Sequence, residues 1–142
     1  MKKILFLFVF FSIGFLYANE IKKPIKEITQ EVKFSWEIYK QTRDEARGLE
    51  AKGEYILASK KYIELAKISA GLDRKDIQAW CLNNAGYMII KLHKQDKKTN
   101  LKSSLSLLEQ AKNIKEAETD CVIKIENNIK YIVDEGGKNE NR

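Results

Sequence analysis

One set of positions recurs three times along this chain, at an interval of 40 residues. In each copy a second residue follows the first after seven positions, and the three pairs are Thr42 and Leu49, Leu82 and Ile89, and Val122 and Ile129. A seven-residue step returns to the same face of an α-helix. Apolar residues elsewhere are also spaced by three and four, and β-branched runs of period two are absent. The chain is therefore predicted to be all-α and internally repetitive.

Five helices are predicted, near residues 25–51, 54–70, 75–93, 100–115 and 118–134. The breaks between them fall at Gly53, at Gly71–Asp73 and in the polar link Lys94–Asn100. Asp76 and Asn100 are expected as N-caps or first-turn residues of the third and fourth helices. A second recurrence relates the second helix to the fourth, because Ala58, Tyr62 and Leu65 have the same spacing as Ser104, Leu108 and Ala111. Two types of helix therefore alternate along the chain.

The stretch GEYILASKKYIELAK, residues 53–67, resembles the second half of a tetratricopeptide repeat (TPR). LNNAGYMII, residues 82–90, is similar to the first helix of that family, with Leu82, Ala85, Gly86 and Ile89 at its signature positions. The resemblance implies a short TPR-like α-solenoid of about five antiparallel helices, with two hairpins and a terminal capping helix. The period of 40 residues departs from the family's 34. The alternative is an unrelated five-helix bundle.

Small residues are expected to set the helix spacing, and large ones to fill the space between hairpins. Ala58, Ala85 and Gly86 are predicted to let the two helices of a hairpin approach closely. Tyr62 and Leu108 are predicted to pack between neighbouring hairpins.

The family resemblance implies a concave groove that holds a peptide or a partner helix. The residues at its groove positions here are Arg43, Arg47, Trp80, Asn83, Asn84, Tyr87, Lys124 and Asn127. Asparagine amides can hydrogen-bond to a peptide backbone, and arginines can bind a carboxylate. The aromatic rings supply contact area for a partner. The alternative is that Asn83 and Asn84 are solvated and that Trp80 packs on the loop at 71–74. The implied function is non-catalytic protein binding, as a periplasmic adaptor or assembly factor.

Other functional classes find little support in the composition. His93, the only histidine, is expected in the polar link, and no nucleophile–base arrangement, phosphate loop or dinucleotide motif accompanies it. No enzyme activity, cofactor or metal is therefore expected. The net charge of +6 comes from charges of alternating sign, without a dense basic cluster, and no nucleic-acid partner is expected.

The chain begins with two lysines and the apolar run ILFLFVFFSIGFLYA. This pattern predicts a bacterial signal peptide over residues 1–18, cleaved after Ala18, and export to the periplasm. The alternative is an uncleaved signal that tethers the chain to the membrane. Residues 19–135 are predicted to form the helical domain. Residues 136–142 contain no apolar side chain and are expected to be disordered.

Residues 21–36 carry an apolar stripe of Ile25, Ile28, Val32 and Trp36. The stripe is expected to pack on the first hairpin as an additional helix. The alternatives are a dimer contact or a membrane-surface helix, which would make the protein a structural or oligomerising component of the envelope.

Cys81 and Cys121 occupy the same position in successive copies of the repeat. In an oxidising compartment the two could form one disulfide between neighbouring helices. The alternative is a pair of buried thiols that act as small hydrophobic residues.

Overall fold

The computed structural model describes residues 35–140, and within this range it contains five α-helices and no strand. The helices are α1 (Trp36–Ala51), α2 (Tyr55–Gly71), α3 (Lys75–Gln95), α4 (Lys102–Lys112) and α5 (Thr119–Glu140). The all-α prediction is confirmed. The predicted signal peptide and the apolar stripe before residue 35 lie outside the described residues. None of the described helices is long and apolar enough to cross a membrane.

Two turns of the same type connect the first three helices. Gly53 has a φ of 77°, and the next amide, of Glu54, donates to the Leu49 carbonyl at 2.9 Å. Asp73 has a φ of 55°, and the Arg74 amide donates to the Ser69 carbonyl at 2.9 Å. Both turns satisfy the free carbonyls at a helix end through a left-handed residue. The predicted breaks at these two places are confirmed, although the second turn uses an aspartate instead of a glycine.

The first helix begins later than the sequence predicts. Ser35 has an extended backbone, and its hydroxyl accepts a hydrogen bond from the Ile38 amide at 3.2 Å. Since this is N-cap geometry, α1 starts at Trp36. The prediction of one continuous helix over residues 25–51 is therefore wrong at Ser35, because a capping serine competes with helical backbone bonding.

The later helix starts fit the predicted caps. Asp76 lies in the first turn of α3, and the Asn100 side chain accepts a hydrogen bond from the Lys102 amide at 2.7 Å, at the start of α4. At the other end, α5 continues to Glu140, beyond the predicted end near residue 134 and into the segment expected to be disordered. Gly136 and Gly137 lower helix stability by about 1 kcal/mol each relative to alanine, but they do not forbid a helix.

The α3 helix lies at the centre of the packing, with extensive contacts to α2 and α4 and a smaller contact with α5. The α1 helix packs on α2. Buried apolar residues from all five helices form one core, with Leu65, Met88, Ile90, Leu108 and Ile125 among the largest fully buried side chains.

Helices α3 and α4 approach each other closely at Gly86. A Cβ atom added at Gly86 would lie 2.9 Å from Leu108 Cγ and 3.2 Å from the Ser104 carbonyl oxygen. Ala85 and Ala58 are fully buried. The predicted role of small residues at this spacing is confirmed at Gly86, where a larger residue would force the Leu108 side chain or the α4 backbone to shift.

Two buried serines bind the backbone of α3 from opposite neighbours. Ser59 of α2 donates to the Ala85 carbonyl at 2.9 Å, and Ser104 of α4 donates to the Gly86 carbonyl at 2.7 Å. Both hydroxyls are thereby satisfied in the core. The spacing pattern predicts small residues at these places but not these hydrogen bonds.

Candidate functional site

An open cleft of about 410 Å³ runs along one side of α3. Residues from α1, α2, α3 and α5 line it, and these are Glu50, Tyr62, Trp80, Asn83, Asn84, Tyr87, Met88, Lys124, Asn127 and Asn128. Six of the eight predicted groove residues are in this set. The cleft is the region in which the structure brings the predicted binding residues together.

Arg43 and Arg47 are the two predicted groove residues that do not line the cleft. The Arg43 guanidinium pairs with the neighbouring Asp44 carboxylate at 3.1 Å. Arg47 is exposed, although it is close enough to Glu50 to contribute to lowering the pKa of that carboxyl. The structure therefore does not bring these two arginines together with the other six predicted residues, and their part in binding stays a prediction.

A row of asparagine side chains forms part of the cleft wall. Asn83 is only 3% exposed, so the alternative of a solvated Asn83 is wrong. The side-chain Oδ1 of Asn83 accepts a hydrogen bond from Asn128 Nδ2 of α5 at 3.0 Å. The Asn83 Nδ2 donates to Asn84 Oδ1 at 3.4 Å. Asn83 therefore orients its neighbours and links α3 to α5. The side-chain nitrogen of Asn84 has no hydrogen-bond partner among the described residues.

The α5 side of the cleft carries groups that are open to a ligand. Lys124 and Asn127 are exposed, and neither makes a hydrogen bond or ion pair with any described residue. Trp80 Nε1 donates to the Glu118 carboxylate at 3.1 Å, so Trp80 offers only its ring to a ligand. This side therefore combines a cation, amides and an aromatic surface.

The opposite side of the cleft holds a three-helix network centred on Glu50. The Glu50 carboxylate of α1 accepts from Tyr62 Oη of α2 at 2.9 Å and from Lys91 Nζ of α3 at 2.7 Å. Burial would raise the pKa of Glu50, but the hydrogen bonds from Lys91 and Tyr62 outweigh it and hold that pKa below its usual range. The same contacts raise the pKa of Lys91 and, together with burial, that of the Tyr62 phenol. Glu50 is therefore ionised and fully paired near neutral pH.

The ammonium groups of Lys91, Lys94 and Lys97 lie over tyrosine rings at and beside the cleft. The Lys91 ammonium lies 5.3 Å from the centroid of the Tyr87 ring, and the Lys94 ammonium lies 5.0 Å from that of Tyr131. Cation–π contacts at exposed positions contribute about 0.5–1 kcal/mol each. They fix the orientation of Tyr87, whose ring lines the cleft.

The two cysteines are free and buried, so the structure does not contain the disulfide that the sequence left as one possibility. Burial raises the pKa of both the Cys81 and the Cys121 thiols to about 11. Ser69 and Tyr39 lie within hydrogen-bonding reach of the Cys81 sulfur. The two residues pack as the alternative describes, as small side chains in the core.

His93 is buried in the last turn of α3, which corrects its expected position in a polar link. Its Nδ1 lies 2.9 Å from the Thr99 carbonyl oxygen, and its Nε2 lies 3.4 Å from the Glu135 carboxylate. Tyr131 and Glu135 of α5 both lie against the end of α3, with the His93 and Tyr131 ring centroids 6.2 Å apart. Within the described residues, no three histidine, cysteine or carboxylate side chains are grouped so that they could hold a metal ion.

The sequence pattern missed Glu50, Tyr62, Met88 and Asn128 as cleft residues. One signal was available for Glu50. In the 40-residue register it aligns with Ile90, which is buried, and a charge at such a position requires a partner.

Comparison with protein-family models, with curated proteins and with solved structures finds no match to this chain. The resemblance to TPR proteins rests on the residues quoted above.

Proposed function

We propose that this chain is a short TPR-like α-solenoid that binds an extended segment of another protein in the cleft beside α3. The proposed role is non-catalytic, in an adaptor or assembly factor exported to the periplasm. One observation carries the proposal: six residues chosen for their groove positions in the repeat line a single cleft. The packing of α3 against α2, α4 and α5 supports the solenoid arrangement.

The chemistry of the cleft suits a peptide backbone. The amides of Asn84 and Asn127 can donate to and accept from backbone groups, and the rings of Trp80 and Tyr87 offer contact area. Lys124 adds one cation. The volume of about 410 Å³ accommodates a few residues of an extended chain, within the range of small-ligand clefts.

Site-specific photo-crosslinking in the native envelope tests the proposal. A photoreactive phenylalanine analogue replaces Tyr87 in the cleft or, as a matched control, Ile56, which is 48% exposed on α2 and outside the cleft. We expect a discrete crosslinked partner from position 87 and none from position 56. The double variant Asn84→Ala with Lys124→Ala should reduce the crosslink strongly.

The control for that variant is Lys130→Ala, which removes an exposed lysine on the same helix that pairs with Asp134 and lies outside the cleft. Equal crosslinking from both probe positions, or no effect of the cleft variant, would rule out this cleft as the binding site. Loss of the partner only when residues 19–34 are deleted would favour the alternative of an envelope protein that docks through its N-terminal segment.

A further inference from the structure

Among the described residues that line the cleft, two are charged, Glu50 and Lys124, and they differ in the partners they bind. Lys124 is exposed and has no described partner. Both oxygens of Glu50 are engaged, one by Tyr62 and one by Lys91. The two sides of the cleft therefore present different electrostatics to a ligand.

Lys91 does not itself line the cleft, but its ammonium group is bonded to Glu50, which does, and this places a cation directly behind the α1 side. The ammonium lies 2.7 Å from Glu50 Oε1, within the distance typical of a charge-assisted hydrogen bond. Arg47 of α1 also lies outside the lining, but it is exposed and forms no ion pair with Glu50. A second carboxylate entering here would have to displace Glu50 or lie beside it, and like charges at close range repel.

We infer that Glu50 sets the charge specificity of the cleft by holding Lys91 from within the chain. The cleft then takes a peptide that carries an acidic group only at the α5 side, against Lys124, and a neutral group at the α1 side. This inference rests on the peptide-binding function proposed above. It makes Glu50 a specificity-determining residue, although no ligand bond to Glu50 itself is required.

The position of Glu50 distinguishes this role from a merely structural one. Glu45 also lies on α1 and pairs with a lysine of α2, Lys61, at 2.8 Å, but it does not line the cleft. A purely structural ion pair at either place would affect stability and leave ligand preference unchanged. Glu50→Gln and Glu45→Gln are therefore a matched pair of variants.

Three pools of short fluorescent peptides, capped at both ends, provide the test. Their sequences are degenerate mixtures of neutral residues that contain no glutamate, one glutamate or two glutamates at varied spacing. We expect the wild-type protein to prefer the one-glutamate pool to the neutral pool by about threefold, as an exposed ion pair allows, and to gain nothing from a second glutamate. Lys124→Gln should remove the preference for the one-glutamate pool over the neutral pool.

Glu50→Gln should gain about threefold in affinity for the two-glutamate pool, because Lys91 is then free, and Glu45→Gln should behave as wild type. Glutamine keeps an acceptor for Tyr62. The double variant Glu50→Gln with Lys91→Gln should return to the wild-type preference, which controls for altered folding of the single variant.

Two outcomes separate this inference from the proposed function. If the wild-type protein gains as much from a second glutamate as Glu50→Gln does, the role of Glu50 is overturned while peptide binding stands. If no pool binds the wild-type protein at any concentration tested, the peptide-binding function fails, and this inference fails with it.

Discussion

Helix α3 has two different faces. Its packing face contacts α2 and α4, whereas its cleft face borders the open cleft. The packing face is filled by neighbouring helices, so that an added methyl group at Gly86 would come within 2.9 Å of Leu108. The cleft face is bordered by polar side chains such as Asn84 and by solvent. Shape constrains the first face, whereas hydrogen bonds and charge constrain the second. The following variants should separate these two kinds of constraint, in order of decreasing effect on stability.

Gly86→Ala tests the packing face directly. The new Cβ would overlap Leu108 and approach the Ser104 carbonyl, so we expect a loss of about 1–3 kcal/mol in unfolding free energy despite the better helix propensity of alanine. Gly48→Ala is the matched control, since a Cβ at Gly48 meets nothing within 4 Å and should stabilise α1 by up to about 1 kcal/mol. Urea unfolding measures both. Equal effects of the two variants would contradict the close approach of α3 and α4.

Ser104→Ala should have the next largest effect. It removes the buried hydrogen bond to the Gly86 carbonyl at 2.7 Å and should cost about 1 kcal/mol. Ser106→Ala, on the exposed side of the same helix, is the control and should change stability by less than about 0.5 kcal/mol. Urea unfolding again provides the comparison, and a Ser104 effect no larger than that of Ser106 would speak against the bond.

Glu50 should contribute a smaller, pH-dependent term on the cleft face. Its pKa is lowered in the folded state, so its contribution is present above the unfolded pKa of about 4.3 and is lost as the pH falls through the folded value. Because its side chain is 28% exposed, water screens the pairs and we expect less than about 1 kcal/mol. The difference in unfolding free energy between wild type and Glu50→Gln, measured from neutral to acidic pH, should shrink as the pH falls. A difference that does not depend on pH would exclude this role.

The last prediction concerns the two buried cysteines and requires no substitution, because it is tested by labelling the thiols of the wild-type protein. Burial raises both thiol pKa values to about 11, so the folded protein should react slowly with iodoacetamide near pH 8 and the unfolded protein should incorporate two labels without reductant. The raised pKa values also mean that stability falls as the pH rises above the unfolded thiol pKa of about 8.5. Mass spectrometry counts the labels. An unfolded chain that takes up none would indicate a disulfide.

The packing face was largely predictable from the sequence, because helix spacing depends on side-chain size at fixed intervals. The small pair Ala85–Gly86 and the recurrence at Leu108 carried that information. The backbone positions of Trp80, Asn84 and Lys124 in the cleft followed from the same register. The recurrence of the same helix positions along the sequence thus indicates which residues lie on the same surface.

The partners of charged side chains were not predictable in this way. Glu50 meets Lys91 across a separation of 41 residues, which depends on how three helices meet. Arg43 and Arg47 were predicted as groove residues, yet the backbone pattern does not fix where their long side chains lie. His93 is buried against Tyr131 and Glu135 of α5, a contact between distant parts of the chain that no local pattern indicates.

Among the described helices, α1 packs mainly on α2, and this has a consequence for the protein's motions. Its extensive helix contacts are with α2, whereas α3 contacts three helices. Amide hydrogens of α1 should therefore exchange with solvent through local opening before those of α3, which should exchange only on global unfolding. Since Glu50 lies near the end of α1, one wall of the cleft belongs to the segment that opens first. A bound ligand that spans both sides should then slow exchange in α1 more than anywhere else.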